Sequence, residues 1–336
     1  MQRDGATISQ VAAHAGVSAA TVSRVFTGSA RVSDVTRETV LAAARELGYR
    51  PSAIARSLAR QQGIGIGMVV GDIGAPYYAP VMQSAERTLR DCGQMLVVAS
   101  GYNRRKGELW AIDFLLEQRC AALIIHAGGL SNDELVALSR REVPIVVMNR
   151  RVPGLDGRCL WVDHYTAGTL VADYLVDHGH RALATITGPL AINDAADRHA
   201  GFRDRAGEHG VTLADSAIRH GDYSLESGTA AMRELLRDGM SWTAVFCGND
   251  NMAVGAIEAL TQAGYRVPED VSVIGYDNTR LAALYRPRLT TVDIPIAAIG
   301  HAAAHTALAA LQLPCEPVAH AFSGTLVEGD TVTQRL

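Results

Sequence analysis

The sequence predicts an α/β protein with two unlike parts: a three-helix head at the N-terminus containing a helix-turn-helix, and a two-lobed body of parallel sheets. Three observations carry that expectation. Capped amphipathic helices that end at glycines fill the first fifty residues. From residue 63 onward, short apolar runs alternate with helical stretches. The charge changes sign at the same place: residues 1–62 hold eight arginines against four acids, and the rest holds 23 basic against 31 acidic side chains. A basic head on an acidic body points to a polyanion partner for the head alone.

The head reads as follows. Thr7 is a good N-cap and Gln10 stands three residues on, which makes a capping box. Ile8, Val11, Ala12 and Ala15 share one helical face, and Gly16 suits the left-handed position that ends a helix. Ser18 caps the next helix, Ala19 to Phe26. Val22 and Phe26 face inward, while Ala19, Ala20, Ser23 and Arg24 face out. Ser33 opens a third helix, Val35 to Leu47, with Val40, Leu41, Ala44 and Leu47 as its expected buried stripe and Gly48 as its stop. Two helices joined by a glycine-bearing turn form a helix-turn-helix. The same spacing also occurs in plain structural bundles, so the outward face has to decide. Small side chains at Ala19 and Ala20 let a helix enter the major groove and touch thymine methyls, and Arg24 can reach a base edge or a phosphate. The hydroxyls of Thr21 and Ser23 suit phosphate contacts.

Pro51 to Leu58 suits a short helix begun by proline. Eight residues are too few for a stable isolated helix in water. Gln61, Gln62 and Gly63 read as linker. The expected division is therefore a head at 1–50, a hinge and linker at 51–62, and a body at 63–336.

In the body the apolar runs are 64–70, 95–99, 122–126, 144–148, 182–187, 244–247 and 271–274. Helical stretches fall between them, at 78–90, 106–118, 132–140, 167–178, 198–209, 227–237 and 252–263. Strands alternating with helices imply parallel sheets covered on both faces. Ligands of such sheets bind beyond the carboxyl ends of the strands. Polar and aromatic residues gather after these runs: Tyr77, Tyr78, His126, Asn149, Asp163, Arg198, Tyr223, Asn249 and Asp277. A cleft lined by carboxylates, amides, an arginine and aromatic rings suits a polyhydroxylated ligand.

Other classes are poorly supported. Gly63-Ile64-Gly65-Ile66-Gly67 lacks dinucleotide-binding spacing, and no nucleophile elbow, phosphate-binding loop or zinc-protease motif occurs, so an enzyme is not expected. The five scattered cysteines form no CxxC or Cys/His cluster, so neither disulfides, a metal nor a cofactor is expected. No apolar run reaches the roughly 18 residues of a membrane span, and the first residues lack an export signal, so the cytoplasm is the expected place.

The string TISQVAAHAGVSAATVSRVF, followed by RVSDVTRETVLAAARELGYRPSAIARSLA, resembles the head of the LacI–GalR family of bacterial repressors, without a gap from Thr7 to Ala59. The resemblance implies palindromic operator double-stranded DNA as partner, a homodimer, and a place on the bacterial nucleoid. It implies DNA contacts from Thr7, Ser18, Ala19, Ala20, Thr21, Ser23 and Arg24, with Ala19 and Ala20 helping to choose the operator. Pro51 to Leu58 becomes a hinge helix that folds when two copies meet on DNA, with Ala55 beside a Leu58 wedge in the minor groove.

For the body the resemblance implies a periplasmic-binding-protein-like topology. One lobe takes about 63–163 and 292–322, the other about 164–291 and 323–336. The positions Tyr77, Tyr78, His126, Asn149, Arg198, Tyr223, Asn249 and Asp277 become effector contacts, with Arg198 and Asp277 holding sugar hydroxyls. Purine-responsive members carry an arginine where Ile192 stands. RCAALIIHA, NRRVPG and DAADRHAGF are similar to the galactose-responsive branch, which implies a monosaccharide of galactose type. Corepression, or gating by a partner protein, is an alternative with the same fold. Two departures stand out: Gly329 replaces a usual arginine, and no leucine-heptad tail follows, so a dimer is expected rather than a tetramer.

Overall fold

The computed structural model describes residues 6–27, 32–49, 65–141, 143–239 and 242–335. The expected hinge, with Ala55 and Leu58, lies outside them.

The head has three helices: α1 (Ile8–His14), α2 (Ala19–Thr27) and α3 (Asp34–Glu46). The capping box forms, with Gln10 N–H donating to Thr7 Oγ1 and Thr7 N–H donating to Gln10 Oε1 at 2.7 Å. Ser18 Oγ accepts from Thr21 N–H, and Ser33 Oγ from Thr36 N–H. Gly16 and Gly48 both take positive φ where the chain leaves a helix. Val11, Ala12, Val22, Val25, Val40, Ala43 and Ala44 make the core, and Phe26 meets Tyr49 edge-on. The expected stripe of α3 needs one correction. Leu41 is 38% exposed and Ala43 is buried in its place. Residues 40, 43, 44 and 47 follow the helical repeat of one face, whereas residue 41 stands about 100° round from Val40.

The body contains two parallel sheets. The first has strands β1 (Ile66–Val70), β2 (Leu96–Ser100), β3 (Ala122–His126), β4 (Ile145–Met148), β5 (Cys159–Val162) and β11 (Ala321–Phe322), in the order β11-β5-β4-β3-β1-β2. The second has β6 (Leu183–Thr187), β7 (Ile218–His220), β8 (Ala244–Cys247) and β9 (Ser272–Ile274), in the order β7-β6-β8-β9. Their register is set by pairs such as Ile66↔Ala122, Leu123↔Ile145 and Ala244↔Ser272.

Successive side chains of each strand go to opposite faces, and the cores follow that period. Ile66, Met68, Val70, Ala122, Ile124, Val146 and Met148 join one core, and their neighbours Val69, Leu123, Ile125, Ile145 and Val147 join another. The second sheet does the same, with Ala244, Phe246 and Ile274 in the core shared with the first lobe, and Val245, Cys247 and Val273 on the far side. In β1, β3, β4, β6, β8 and β9 both faces are buried, which is why these strands read as continuous apolar runs.

Helices cover the faces: α4 (Tyr78–Asp91), α5 (Arg105–Glu117), α6 (Asn132–Ser139), α7 (His164–Asp177), α8 (Asn193–Glu208), α9 (Leu225–Arg237), α10 (Asp250–Gln262), α11 (Arg280–Leu284) and α12 (Ile296–Ala310). α12 packs on α4, α7 on α8, and α9 on α10. The chain passes between the lobes three times: after β5, around β10 (Thr291–Asp293), and between β11 and β12 (Thr325–Val327). β10 and β12 pair antiparallel, and Asp277 bridges to Asp293. Gly329 follows β12, where a Cβ would stand 2.3 Å from the Arg288 carbonyl oxygen. The chain therefore uses its missing side chain at that position for a close backbone approach.

Several helices start one or two residues before the sequence reading, and two start three or more residues earlier, both of them at the cleft. α8 begins at Asn193, not Arg198, after an Ile192 N-cap that makes no side-chain bond. α7 begins at His164, not Ala167, with Asp163 Oδ1 accepting from Thr166 N–H at 2.9 Å. α12 is absent from the sequence reading because it is apolar nearly all round and shows no amphipathic period.

Candidate functional site: a cleft between the two lobes

A cavity of about 450 Å³ lies between the lobes. Its lining comes from the segment after each of β1 to β9 in turn, the carboxyl ends of both sheets. All eight expected effector residues line it. So do residues outside that expectation, among them Asn103, His164, Asp194 and Asp250.

The wall from the first lobe is a connected polar and aromatic group. Tyr77 and Tyr78 meet edge-to-face, their centroids 5.1 Å apart. Asn149 Nδ2 donates to Tyr77 Oη at 2.8 Å and lies 3.0 Å from His126 Nε2. His126 Nε2 therefore accepts, and its Nδ1–H donates to Tyr78 Oη at 3.0 Å. Burial pushes the His126 pKa down, which agrees with a neutral ring. Asn149 holds φ +63°, a left-handed conformation that asparagine tolerates, and this turns its amide toward the tyrosines.

Behind this wall stands Glu108 on α5. Its fully buried carboxylate accepts from the N–H groups of Gly128, Gly129 and Leu130 at 2.8, 2.8 and 3.0 Å. That fixes the turn after His126. Gly129 is required there, because a Cβ would come 2.2 Å from Arg105 N.

The wall from the second lobe is built around Arg198. Its guanidinium lies over the Tyr276 ring, donates from Nη1 to the Gly248 carbonyl, and places Nη2 3.5 Å from His164 Nδ1. Tyr276 Oη lies 2.7 Å from the same Nδ1. A nitrogen facing the guanidinium carries the lone pair, so His164 keeps its proton on Nε2. Burial, and then the charge of Arg198, push the His164 pKa down to about 3. Arg198 itself loses solvation by burial, but Tyr276, Tyr223, Asp277 and Asp194 hold it charged. Burial raises the Asp194 pKa, and the charge of Arg198 together with the Ala195 N–H that Asp194 Oδ1 accepts holds it below the usual carboxylate value. Asp277 is pushed well up by burial against a smaller lowering from Arg198, and it takes φ +102°.

Tyr223 also takes positive φ, and its ring lies where a Cβ on Gly188 would be. Asn249 is largely committed to the protein. Its Oδ1 accepts from Met252 N–H at the start of α10, and its Nδ2 donates to the Tyr223 carbonyl.

Among the described residues, eight buried side-chain polar atoms have no hydrogen-bond partner. Five of them line this one cavity: Asn103 Oδ1, Asn149 Oδ1, His164 Nε2, Arg198 Nε and Tyr223 Oη. Buried polar groups are normally paired, so their concentration marks a place where a polar ligand completes the bonding. The carboxyl side chains around the cavity are Asp72, Asp194, Asp222, Glu226, Asp250 and Asp277, of which burial pushes Asp250 and Asp277 up, and the single guanidinium is that of Arg198.

In the head, Ala19, Ala20 and Arg24 are exposed on one side of α2, with Thr21 and Ser23 partly exposed. Thr7 and Ser18 are exposed, but their hydroxyls are engaged in capping.

Residues 7–52 match the model of the bacterial regulatory proteins of the lacI family, and residues 172–332 match that of a periplasmic binding protein-like domain. The chain is 38% identical over 329 residues to the HTH-type transcriptional regulator GalR of Salmonella typhimurium, covering 98% of this chain and 96% of that one. The chain belongs to the LacI family.

The LacI-family match extends to a second named regulator. The transcriptional repressor PurR of Erwinia tasmaniensis is 38% identical over 301 residues, covering 89% of this chain and 88% of that one. In structure, the lac repressor dimer bound to operator and the anti-inducer ONPF superposes with a TM-score of 0.84 at 29% identity, covering 98% of this chain and all of that one. The protein is thus a LacI-family DNA-binding transcriptional regulator with an effector-binding domain, and the relatives named here are regulators rather than enzymes. Among the described residues, no helix is long and apolar enough to cross a membrane.

Proposed function

We propose that the protein is a homodimeric repressor of a palindromic operator, and that an uncharged monosaccharide of galactose type lowers its operator affinity by binding between the lobes. The observation that carries the ligand class is the set of five unpaired polar atoms in the cavity, drawn from both lobes. Both acceptors and donors are represented, as vicinal hydroxyls require. Carboxylates such as Asp72, Asp194, Asp222 and Glu226 against one guanidinium disfavour a phosphorylated or carboxylated ligand. Ile192 adds an apolar patch where purine-responsive members carry an arginine, and this favours a sugar over a purine.

A ligand bonded to both walls favours one relative placement of the lobes, which shifts the equilibrium between operator-competent and released states. Ala19, Ala20 and Arg24 are the groups offered to the major groove, with Thr21 and Ser23 toward phosphate. Ala55 and Leu58 would supply the minor-groove wedge.

Fluorescence anisotropy of a labelled palindromic operator, titrated with galactose, glucose, galactose 1-phosphate and hypoxanthine, tests this reading. Release by galactose alone is the expected result. Tighter DNA binding with hypoxanthine would establish corepression instead, and release by the phosphate ester alone would overturn the uncharged ligand.

A further inference from the structure

His301 and His305 stand one turn apart on α12, and Glu316 follows in the segment leading to β11. One ligand atom from each, two imidazole nitrogens and a carboxylate oxygen, lie within 4.8 Å of one another. The two rings are 4.4 Å apart between centroids. The group is separate from the effector cleft: Thr88, which touches His301, is ten residues along α4 from Tyr78, about 15 Å at helical rise.

The hydrogen bonds around His301 orient it as a ligand. Thr88 Oγ1 donates its proton to the Ser84 carbonyl at 3.0 Å, so it accepts from His301 Nδ1–H at 3.0 Å. The lone pair of His301 is left on Nε2, and a fixed outer partner of this kind is the usual support of a metal-bound imidazole. His305 Nδ1 accepts from Glu316 N–H at 3.0 Å, which draws the segment carrying Glu316 against α12. A cation that engages His305 through Nδ1 exchanges that one hydrogen bond for a coordinate bond.

We infer that His301, His305 and Glu316 form a binding site for a divalent transition-metal ion of the zinc class, tying α12 to the segment before β11. Two imidazoles and one carboxylate select zinc, nickel, cobalt or copper over calcium and magnesium, which prefer all-oxygen sites. Three protein ligands leave at least one position for water. The bound ion would brace the edge of the first sheet, to which β11 belongs.

Zinc chloride titrated calorimetrically into the chelator-treated full-length protein, without any sugar, tests the site. Expected are about one equivalent per chain and a rise in thermal midpoint. His301→Gln and Glu316→Gln should each weaken binding by about tenfold or more and abolish the rise; Glu316→Gln keeps the backbone N–H that His305 accepts. No saturable zinc binding, or binding that neither substitution weakens, would overturn the inference.

Discussion

The central carbon of the Arg198 guanidinium lies 3.6 Å from the centroid of the Tyr276 ring. Tyr276 also lies hydrogen-bonded to His164, which in turn faces Arg198. The arginine is therefore positioned before any ligand arrives, by a ring face below, the Gly248 carbonyl at one end and a neutral imidazole at the other. A flat ion held in this way keeps its remaining N–H edge toward the cavity without further ordering cost.

Replacing Arg198 by lysine keeps the charge and loses the plane and the fork. We expect galactose affinity to fall about tenfold to a hundredfold, by the roughly 1.5–3 kcal/mol of a charge-assisted hydrogen bond. Calorimetry reads this directly. Wild-type affinity in Arg198→Lys would show that the guanidinium geometry is not used.

Two buried histidines give the protein an acid sensitivity. His164 has its pKa pushed down to about 3 by burial and by Arg198, with Asp194, His126 and Asp163 also facing it. His180, between Thr243 and Thr333, is lowered to about 4, chiefly by burial. Both pKa values are depressed on folding, so their contribution is complete above pH 6.5 and is lost as the pH falls toward 4 and then 3. Asp250 acts in the opposite sense. Burial raises it to about 6, so its contribution is greatest below pH 3.8 and is lost as the pH rises through 6. Asp277, also pushed up by burial, opposes the histidines in the same way, so the His164 share is read by difference: between pH 7, 5.5 and 4.5 the urea midpoint of His164→Asn should shift upward relative to that of the wild type as the pH falls. Parallel curves for the two proteins would contradict this assignment.

Glu108→Ala leaves three N–H groups unpaired at the turn after His126, that of Leu130 buried and those of Gly128 and Gly129 half-buried. We expect a loss of about 3 kcal/mol or more, since each bond to a charged group is worth about 1.5–3 kcal/mol. Urea unfolding measures it. Glu108→Gln should fall between the two, because an amide oxygen can replace only part of the carboxylate.

In the head, Arg24→Ala should weaken operator binding by about 1–3 kcal/mol. If Arg24 reads a base, operator and random DNA lose unequally. If it holds phosphate, both weaken alike and the salt dependence flattens. Unchanged anisotropy curves on both DNAs would remove Arg24 from the interface.

The sequence by itself determined the local parts, because their signals are local. Thr7 with Gln10, Ser18 and Ser33 mark helix starts through bonds spanning three residues. The apolar runs mark strands because both faces of each sheet are covered. The residues after those runs include all eight expected cleft positions, since parallel strands deliver their carboxyl ends to one side. The His301–His305 spacing was also present in the sequence, but its partner Glu316 lies beyond the helix end, and no spacing rule links them.

Other features depended on the tertiary structure. α12 has no polar face to give it a period, so its place on α4 emerges only once the first lobe is packed. The starts of α7 and α8 bring His164, Asp194 and Arg198 to the cleft, and the α8 start carries no side-chain cap. Leu41 yields to Ala43 because α3 packs by rotation around its axis rather than by hydrophobicity alone. The tautomer of His164 is set by Tyr276 and Arg198, which reach it from 112 and 34 residues away. A hydrogen bond formed across such separations depends on how the lobes meet, and only the folded chain decides that.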